Sequence, residues 1–168
     1  MCAVKKDTAL KILVLTPSLE EGPYYKTGSP ERKNIAGAGT PGRKLIIEGR
    51  VWDRNGRPVP GAWLDFWQAD GEGQYDNEGY NLRGHQFADK EGRYHLETVR
   101  PFIYAGRTAH MHAKVRANEK SPVLTTQLFF PGEKRNATDT IFDKMTVMDV
   151  VDTAEGQKAT FDFVVETG

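Results

Sequence analysis

Residues 44–68 read KLIIEGRVWDRNGRPVPGAWLDFWQ, two apolar runs on either side of a segment rich in turn formers. In the second run, Leu64 and Phe66 alternate with Asp65 and Trp67, which is the two-residue period of a β-strand. The Asn-Gly and Pro-Gly pairs between the runs are typical of tight turns. This stretch therefore predicts two strands joined as a β-hairpin.

The rest of the chain continues the pattern of short apolar runs separated by turns. Strands are predicted over residues 44–53, 62–68, 93–99, 110–116, 123–130 and 159–165, a glycine-rich loop over 69–88, and one helical turn near 139–145. Four prolines in residues 1–43 predict an extended N-terminal arm. We expect an all-β fold, a β-sandwich of mostly antiparallel strands with long loops, as one domain over residues 1–168 whose arm packs on a core of residues 44–168.

Composition and charge limit the classes of function. Lysine plus arginine and aspartate plus glutamate both number 23 in 168 residues, so no charge excess favours nucleic acid or a membrane as a partner. Because Cys2 is the only cysteine, thiolate-rich metal sites and disulfides within one chain are excluded. The apolar run at residues 12–15 is shorter than a signal core of about 7 residues or a membrane span of about 20. These features predict a cytoplasmic, soluble protein.

Two histidines lie one residue apart in the predicted strand HMHAKVR, residues 110–116. The strand period places His110 and His112 on the same face, opposite the apolar residues that alternate with them. Two neutral imidazoles so placed can bind one metal ion, whose remaining ligands must supply nitrogen or oxygen. For the pair alone, a solvated polar strand face is the favoured interpretation, because antiparallel sheets routinely expose polar residues.

Six short sequence motifs lie between residues 44 and 130, and one of them contains the two histidines. They are GRV at 49–51, PGA at 60–62, WQAD at 67–70, GQY at 73–75, YAGRTAHMH at 104–112 and TTQ at 125–127. In identity and order, these segments resemble the intradiol ring-cleaving dioxygenases. That family includes catechol 1,2-, protocatechuate 3,4- and hydroxyquinol dioxygenases.

The resemblance implies one non-haem iron(III) per chain, held by Tyr75, Tyr104, His110 and His112. A hard trivalent cation prefers anionic oxygen donors and lowers the pKa of a bound phenol from its usual value of about 10. Iron(III), two phenolates and one hydroxide sum to zero charge, so such a site buries no uncompensated charge. By the same resemblance, Tyr104 is the ligand that leaves the iron and acts as a base for the protons of the catechol.

The reaction implied by the resemblance is cleavage of a catechol-type diol by O2, in the breakdown of aromatic compounds. Both oxygen atoms enter a cis,cis-muconate-type dicarboxylic acid. Arg107 is the candidate for stabilising negative charge on the substrate, and Gln127 is the candidate for orienting Arg107 or the oxygen species. Pro23 and Tyr24 lie in a segment similar to the family's pocket lining, so together with Arg107 they are candidates for contact with the substrate.

Two features depart from the family pattern. Many members have proline where this chain has Thr108, so we expect a free backbone N–H and a looser approach to the histidines. The helical N-terminal domain of the catechol and hydroxyquinol enzymes does not fit in residues 1–43. We therefore expect a minimal catalytic sandwich, compatible with a homo-oligomer but not with dimerisation through that domain.

Two other classes of function stay open. A zinc-dependent hydrolase would also use the histidine pair, but it needs a carboxylate or a third histidine nearby, and His85 and His95 are the other imidazoles of the chain. A metal-free binding module is the second alternative. The turn motif at residues 56–62 resembles sandwich domains of transthyretin-like or carboxypeptidase-regulatory type, and a fold does not fix a function.

Overall fold

The computed structural model describes residues 12–168, and its regular structure is almost entirely β. The strands are β1 Lys44–Asp53, β2 Trp63–Trp67, β3 Arg83–Phe87, β4 Arg93–Val99, β5 His110–Arg116, β6 Leu124–Phe129, β7 Asp149–Asp152, β8 Gln157–Thr160 and β9 Phe163–Val165. Two short 3-10 turns lie at Lys134–Ala137 and Lys144–Thr146. In the described part of the chain, no helix is long and apolar enough to cross a membrane. Cys2 lies outside the described residues, and the cytoplasmic location stays a prediction.

The strands form two packed sheets. One has the order β4-β1-β8-β7, with β9 beside the end of β1, and the other has the order β3-β2-β5-β6. Most pairs are antiparallel, whereas β8 and β9 run parallel to β1. The inward residues of both sheets are fully buried and form one core. The predicted β-sandwich of mostly antiparallel strands is confirmed.

The predicted hairpin between residues 44–53 and 62–68 is wrong. β1 pairs with β4, β8 and β9, whereas β2 pairs with β3 and β5 in the other sheet. Each of the two strands has one apolar face, and Ile47 of β1 and Phe66 of β2 are both completely buried. Because β1 and β2 face each other across the core, each strand buries its apolar face against the other. Two strands paired edge to edge in one sheet would not cover each other's apolar faces.

Other predicted elements differ from the structure in their bounds. The segment 69–88, predicted as a loop, contains β3, and β7 was not predicted. The helical turn expected near residues 139–145 overlaps only the 3-10 turn Lys144–Thr146. β3 is short and contains Gly84, and β7 has two valines flanked by aspartates. Neither strand therefore has the alternation of apolar and polar residues that identified the other strands.

The strand predicted over residues 159–165 is divided into β8 and β9. The chain bends at Phe161, whose N–H donates to the Glu48 carbonyl, and Asp162 then accepts a hydrogen bond from the Arg50 N–H. This bend lies against Gly49 of β1, where a Cβ atom would be 1.8 Å from the Phe161 carbonyl oxygen. A glycine in β1 therefore permits the bend.

Residues 12–43 contain no strand. Within them, residues 19–30 lie along the outer face of the four-stranded sheet, whereas the flanking parts bond to β9 and β4 of the other sheet. The Leu19 N–H donates to the Thr125 carbonyl at 2.8 Å, and the His85 N–H donates to the Pro30 carbonyl at 3.0 Å. The Tyr25 ring packs on Trp67 with 4.7 Å between centroids. The division into an arm of residues 1–43 and a core of residues 44–168 stays a prediction.

Candidate metal centre

Four side chains form one row across the four-stranded sheet. The strand register pairs Trp67 with Arg83 on one side and with His112 on the other, and it pairs His112 with Gln127. Directly paired residues project from the same face of a sheet, so the row lies on the outer face. His110, two residues before His112, projects from that face as well.

The two imidazoles meet at their Nε2 atoms, which lie 3.1 Å apart. His110 Nδ1 lies 2.7 Å from the Thr108 carbonyl, so it carries the proton and leaves the Nε2 lone pair free. His112 stacks on Trp67, with 4.7 Å between ring centroids and 7° between the planes. His112 Nδ1 is buried without a hydrogen-bond partner among residues 12–168. Each imidazole therefore directs Nε2 at one point.

Both imidazoles are neutral at ordinary pH. Burial lowers the pKa of His110 to about 4, and burial together with the neighbouring His110 lowers the pKa of His112 well below its usual value. A neutral imidazole is the form that binds a metal ion.

One tyrosine hydroxyl reaches this point, and a second tyrosine lies beside it. The Tyr75 hydroxyl lies 2.9 Å from His112 Nε2, and the Tyr104 ring lies edge-on to Tyr75 with 5.3 Å between centroids. The Tyr104 hydroxyl makes a hydrogen bond with the Tyr24 hydroxyl, and the Tyr24 ring stacks on Tyr75 at 4.6 Å. The structure thus brings together Tyr75 and both histidines, with Tyr104 beside them against Tyr24.

The electrostatics of Tyr75 depend on what binds beside it. Burial raises the pKa of the Tyr75 phenol well above its usual value, although Arg107 and Arg83 act in the opposite direction. Without a cation the phenol therefore stays protonated. A bound trivalent ion would reverse this, because it is the largest charge at such a site.

The spacing of the donor atoms fits one metal ion. Two donors about 2.1 Å from an ion and about 90° apart lie about 3.0 Å from each other. His112 Nε2 lies 3.1 Å from His110 Nε2 and 2.9 Å from the Tyr75 hydroxyl oxygen. Among residues 12–168, no group of three or more His, Cys, Asp or Glu side chains is arranged to bind a metal ion. The donors here are imidazole nitrogens and phenol oxygens, a set suited to a transition metal such as iron.

Arg107 lies beside the donors and is held from two sides. Its Nη2 donates to Gln127 Oε1 at 2.7 Å, and its Nε donates to Asp139 Oδ2 at 2.8 Å. Gln127 in turn donates to the Glu20 carbonyl of the arm at 2.8 Å. The guanidinium is therefore fixed in direction, as a group that stabilises charge must be.

Sequence reasoning missed Asp139. Its carboxylate is completely buried and also accepts hydrogen bonds from the N–H groups of Ile141 and Phe142. Burial alone would raise the pKa of Asp139, but the hydrogen bonds from Arg107 and Thr108 outweigh it and hold the pKa below its usual value. An aspartate that accepts hydrogen bonds from the N–H groups two and three residues later is typical of a local turn. No local signal connects it to Arg107.

The expected loosening at Thr108 is wrong. The Thr108 N–H donates to Asp139 Oδ2 at 2.8 Å, and its hydroxyl donates to Asn136 Oδ1 at 2.7 Å. The Thr108 carbonyl accepts from His110. Threonine therefore forms a hydrogen bond that proline could not form, and it fixes the backbone just before the histidines.

The arm covers the centre. Gly22 adopts a φ of +74°, and a Cβ atom there would lie 3.4 Å from His112 Cε1. Tyr24 lies within the site, whereas its neighbour Pro23 is exposed. Of the two candidates for substrate contact in the arm, the structure thus places Tyr24 at the donors.

Comparison with known proteins agrees with this geometry. A family model described as "Dioxygenase" matches residues 20–167. The chain is 30% identical to catechol 1,2-dioxygenase from Acinetobacter baylyi over 76% of the chain and 50% of that protein. It is 31% identical to the protocatechuate 3,4-dioxygenase beta chain of Burkholderia cepacia over 66% of the chain and 54% of that protein. The chain spans about half the length of the curated relatives it matches.

Solved structures show the same architecture. The dioxygenase domain of a dioxygenase and carbohydrate-binding protein fusion from Streptomyces sp. SirexAA-E superposes with a TM-score of 0.88 at 46% identity, covering 92% of this chain and 100% of that one. The 3-chlorocatechol 1,2-dioxygenase of Rhodococcus opacus 1CP gives a TM-score of 0.83 at 27% identity, covering 91% and 73%. On its motifs, its sandwich and these relatives, the chain belongs to the intradiol ring-cleavage dioxygenase family.

Proposed function

We propose that this protein is an iron(III)-dependent enzyme that cleaves a catechol-type diol between its two hydroxyl-bearing carbons, using O2 and forming a cis,cis-muconate-type dicarboxylic acid. The observation that carries the proposal is the convergence of Tyr75, His110 and His112 on one point under the arm. Membership of the family supports the reaction class, because relatives are named as catechol, hydroxyquinol and protocatechuate dioxygenases.

The proposed ligands are Tyr75, Tyr104, His110 and His112. When bound there, iron(III) supplies Lewis acidity that lowers the pKa values of the phenols and of the diol. The Thr108 carbonyl keeps the proton of His110 on Nδ1, and Trp67 fixes the plane of His112 by stacking. These contacts hold His110 in the tautomer, and His112 in the orientation, that binding requires.

Tyr104 is the residue proposed to take a proton from the diol. Its hydroxyl already has a partner in the Tyr24 hydroxyl, so the protonated phenol can be held beside the substrate by a hydrogen bond. Tyr24 would also contact the substrate, because its ring stacks on Tyr75 at the donors. Pro23, next to Tyr24 and exposed, is proposed to line the approach to the site.

Arg107 is proposed to stabilise the negative charge that develops on the substrate. Its position depends on Gln127 and Asp139, which accept hydrogen bonds from Nη2 and Nε. A preorganised cation in a site that excludes water stabilises developing charge more than a mobile one on the surface. Gln127 also anchors Glu20, so the arm and Arg107 are held by the same side chain.

A visible absorption spectrum of the iron-loaded protein, before and after anaerobic addition of catechol, tests the proposal. Phenolate bound to iron(III) gives a broad charge-transfer band, and we expect this band to move to longer wavelength when catechol binds. In Tyr104→Phe we expect retained iron, a changed colour and slower turnover. A colourless protein without iron would contradict the proposal and favour a metal-free module, and preferential uptake of zinc would favour a hydrolase.

A further inference from the structure

Arg83 is a buried cation with no part in the proposed chemistry. It lies on β3 at the end of the row that contains Trp67 and His112, and only 2% of its surface is exposed. Buried arginines are rare unless their donors are satisfied, so the partners of this guanidinium indicate what it does.

The guanidinium of Arg83 connects the arm to the segment that carries Tyr75. It donates from Nη1 to the Tyr24 carbonyl, from Nε to the Asp76 carbonyl at 3.0 Å and from Nη2 to Asn77 Oδ1 at 3.3 Å. One acceptor thus belongs to an aromatic residue of the site, and another belongs to the residue that follows Tyr75. The planar fork of an arginine can satisfy several such acceptors at once, which a lysine cannot.

The acceptors of Arg83 are uncharged, which separates this residue from Arg107. Arg107 is paired with the buried carboxylate of Asp139, whereas the hydrogen bonds of Arg83 lead to two carbonyls and the amide oxygen of Asn77. The Asp76 carboxylate interacts with this charge electrostatically but accepts no hydrogen bond from the guanidinium. Arg83 therefore combines a mechanical link with a positive charge near Tyr75.

We infer that Arg83 is a positioning residue that fixes Tyr24 against Tyr75 and so sets the aromatic wall of the diol site. The two rings lie 4.6 Å apart with 28° between their planes, and Arg83 holds the backbone beside each of them. Because the Tyr24 hydroxyl contacts Tyr104, a displaced Tyr24 would also remove the partner of that phenol. This inference rests on the proposed function and assigns a role to a residue outside the donor set.

Arg83→Lys tests the inference, with Arg32→Lys as the matched control. Arg32 also links the arm to this region, through hydrogen bonds to the Arg83 and Tyr80 carbonyls, but it does not reach Tyr24 or Asp76. In Arg83→Lys we expect unchanged iron content, a KM for catechol raised about tenfold and a smaller fall in kcat. The anaerobic Kd for catechol, from titration of the absorption band, should rise with KM. In Arg32→Lys both constants should stay within about twofold.

Amide hydrogen exchange of the metal-free proteins gives a readout that does not depend on activity. We expect faster exchange over residues 20–26 and 74–80 in Arg83→Lys than in Arg32→Lys. Equal changes in the two variants, or an unchanged KM, Kd and exchange in Arg83→Lys, would overturn the inference. An absent iron band in the wild-type protein would instead contradict the proposed function.

Asn77→Ala supplies a second variant if Arg83→Lys does not fold. Asn77 is exposed, so its truncation leaves the core intact while removing one acceptor of the guanidinium. We expect KM for catechol to rise about threefold, the size of effect of one hydrogen bond. A KM equal to that of the wild-type protein in Asn77→Ala, together with failure of Arg83→Lys to fold, would also overturn the inference.

Discussion

The outer faces of the two sheets carry polar side chains at alternate positions, yet their surroundings are opposite. On the four-stranded sheet, the covered face contains Asp65, His112 and Gln127, and each of these residues is at most 4% exposed beneath the arm. On the five-stranded sheet, the open face contains Glu48 and His95, which remain more than a third exposed. The same two-residue period therefore produces one buried polar surface and one solvated surface.

The partners of the histidines differ in the same way. On the open face, His95 Nδ1 lies 3.0 Å from a Glu48 oxygen, and Lys158 lies 3.0 Å from the other oxygen of that carboxylate. On the covered face, the Nε2 atoms of His110 and His112 face each other and a phenol. Charged groups on the open face pair with one another and stay exposed to solvent, whereas the covered donors are left for a ligand. The candidate site therefore differs from the solvated surface because the arm covers it, and not because its strands have a different residue pattern.

The largest expected difference is between His112→Ala and His95→Ala. Removing the His112 imidazole deletes a donor at the centre of the site, so we expect loss of iron binding and of catechol cleavage. Removing His95 affects only a solvated charge cluster, and iron content and activity should match those of the wild-type protein. Metal analysis and product formation measure both effects, with thermal unfolding to verify folding. Full activity in His112→Ala would contradict the proposed ligand set.

Arg107→Ala should reduce kcat by about 10² to 10³ without loss of iron, because it removes a fixed cation but no metal donor. Arg50→Ala is the matched change on the open face, where the guanidinium lies 5.4 Å from the Trp52 ring centroid. We expect no change in kcat for that variant. Steady-state kinetics with catechol and iron analysis of both proteins test the difference. A kcat within threefold of wild type in Arg107→Ala would remove this residue from the mechanism.

The stability of the metal-free protein should fall in acid because of the covered histidines. The pKa of His110 is about 4 in the folded protein and about 6.5 in the unfolded chain, so between these values only the unfolded chain binds the proton. The free energy of unfolding should therefore fall as the pH falls, with a contribution of about 2 kcal/mol from His110 between pH 7 and pH 4.5. Urea unfolding with a chelator at both pH values measures it.

His110→Gln is the control for this acid effect. Glutamine does not titrate, so the variant should lose less stability than the wild-type protein over the same pH range, by about the same 2 kcal/mol. Parallel losses in the two proteins would show that His110 is already protonated in the folded state or is accessible to water. Either result would remove the difference between the covered and open faces at this residue.

The sequence predicted the elements of the fold better than their partners. Alternation in residues 93–99 and 110–116 identified β4 and β5 with their observed bounds, since a two-residue period is a local property. Alternation does not indicate which strands pair with each other, and the two strands expected to form a hairpin over residues 44–68 lie in different sheets. That choice depends on burying two apolar faces together, which is a property of the whole domain.

The candidate site shows the same division. The strand period placed His110 and His112 on one face, but only the family resemblance indicated Tyr75, which lies outside the strands. Asp139 is 32 residues from Arg107 and was missed, because the contact between them depends on how the loop after β6 folds back. Burial beneath the arm also lowers the pKa values of both imidazoles, whereas strand alternation alone favoured a solvated face for them.

The smallest expected effects compare one carboxylate from each face. Asp65 accepts hydrogen bonds from the Tyr25 hydroxyl at 2.9 Å and the Ser29 hydroxyl at 2.8 Å, so Asp65→Ala removes the acceptor that two arm hydroxyls share and should cost about 2 kcal/mol. Glu48→Ala removes exposed ion pairs and should cost about 0.5 kcal/mol, a loss that shrinks in high salt. Urea unfolding at low and high salt measures both variants. Equal, salt-sensitive losses would mean that the arm does not shield Asp65 from water, and the covered face would then differ from the open face only in its residues.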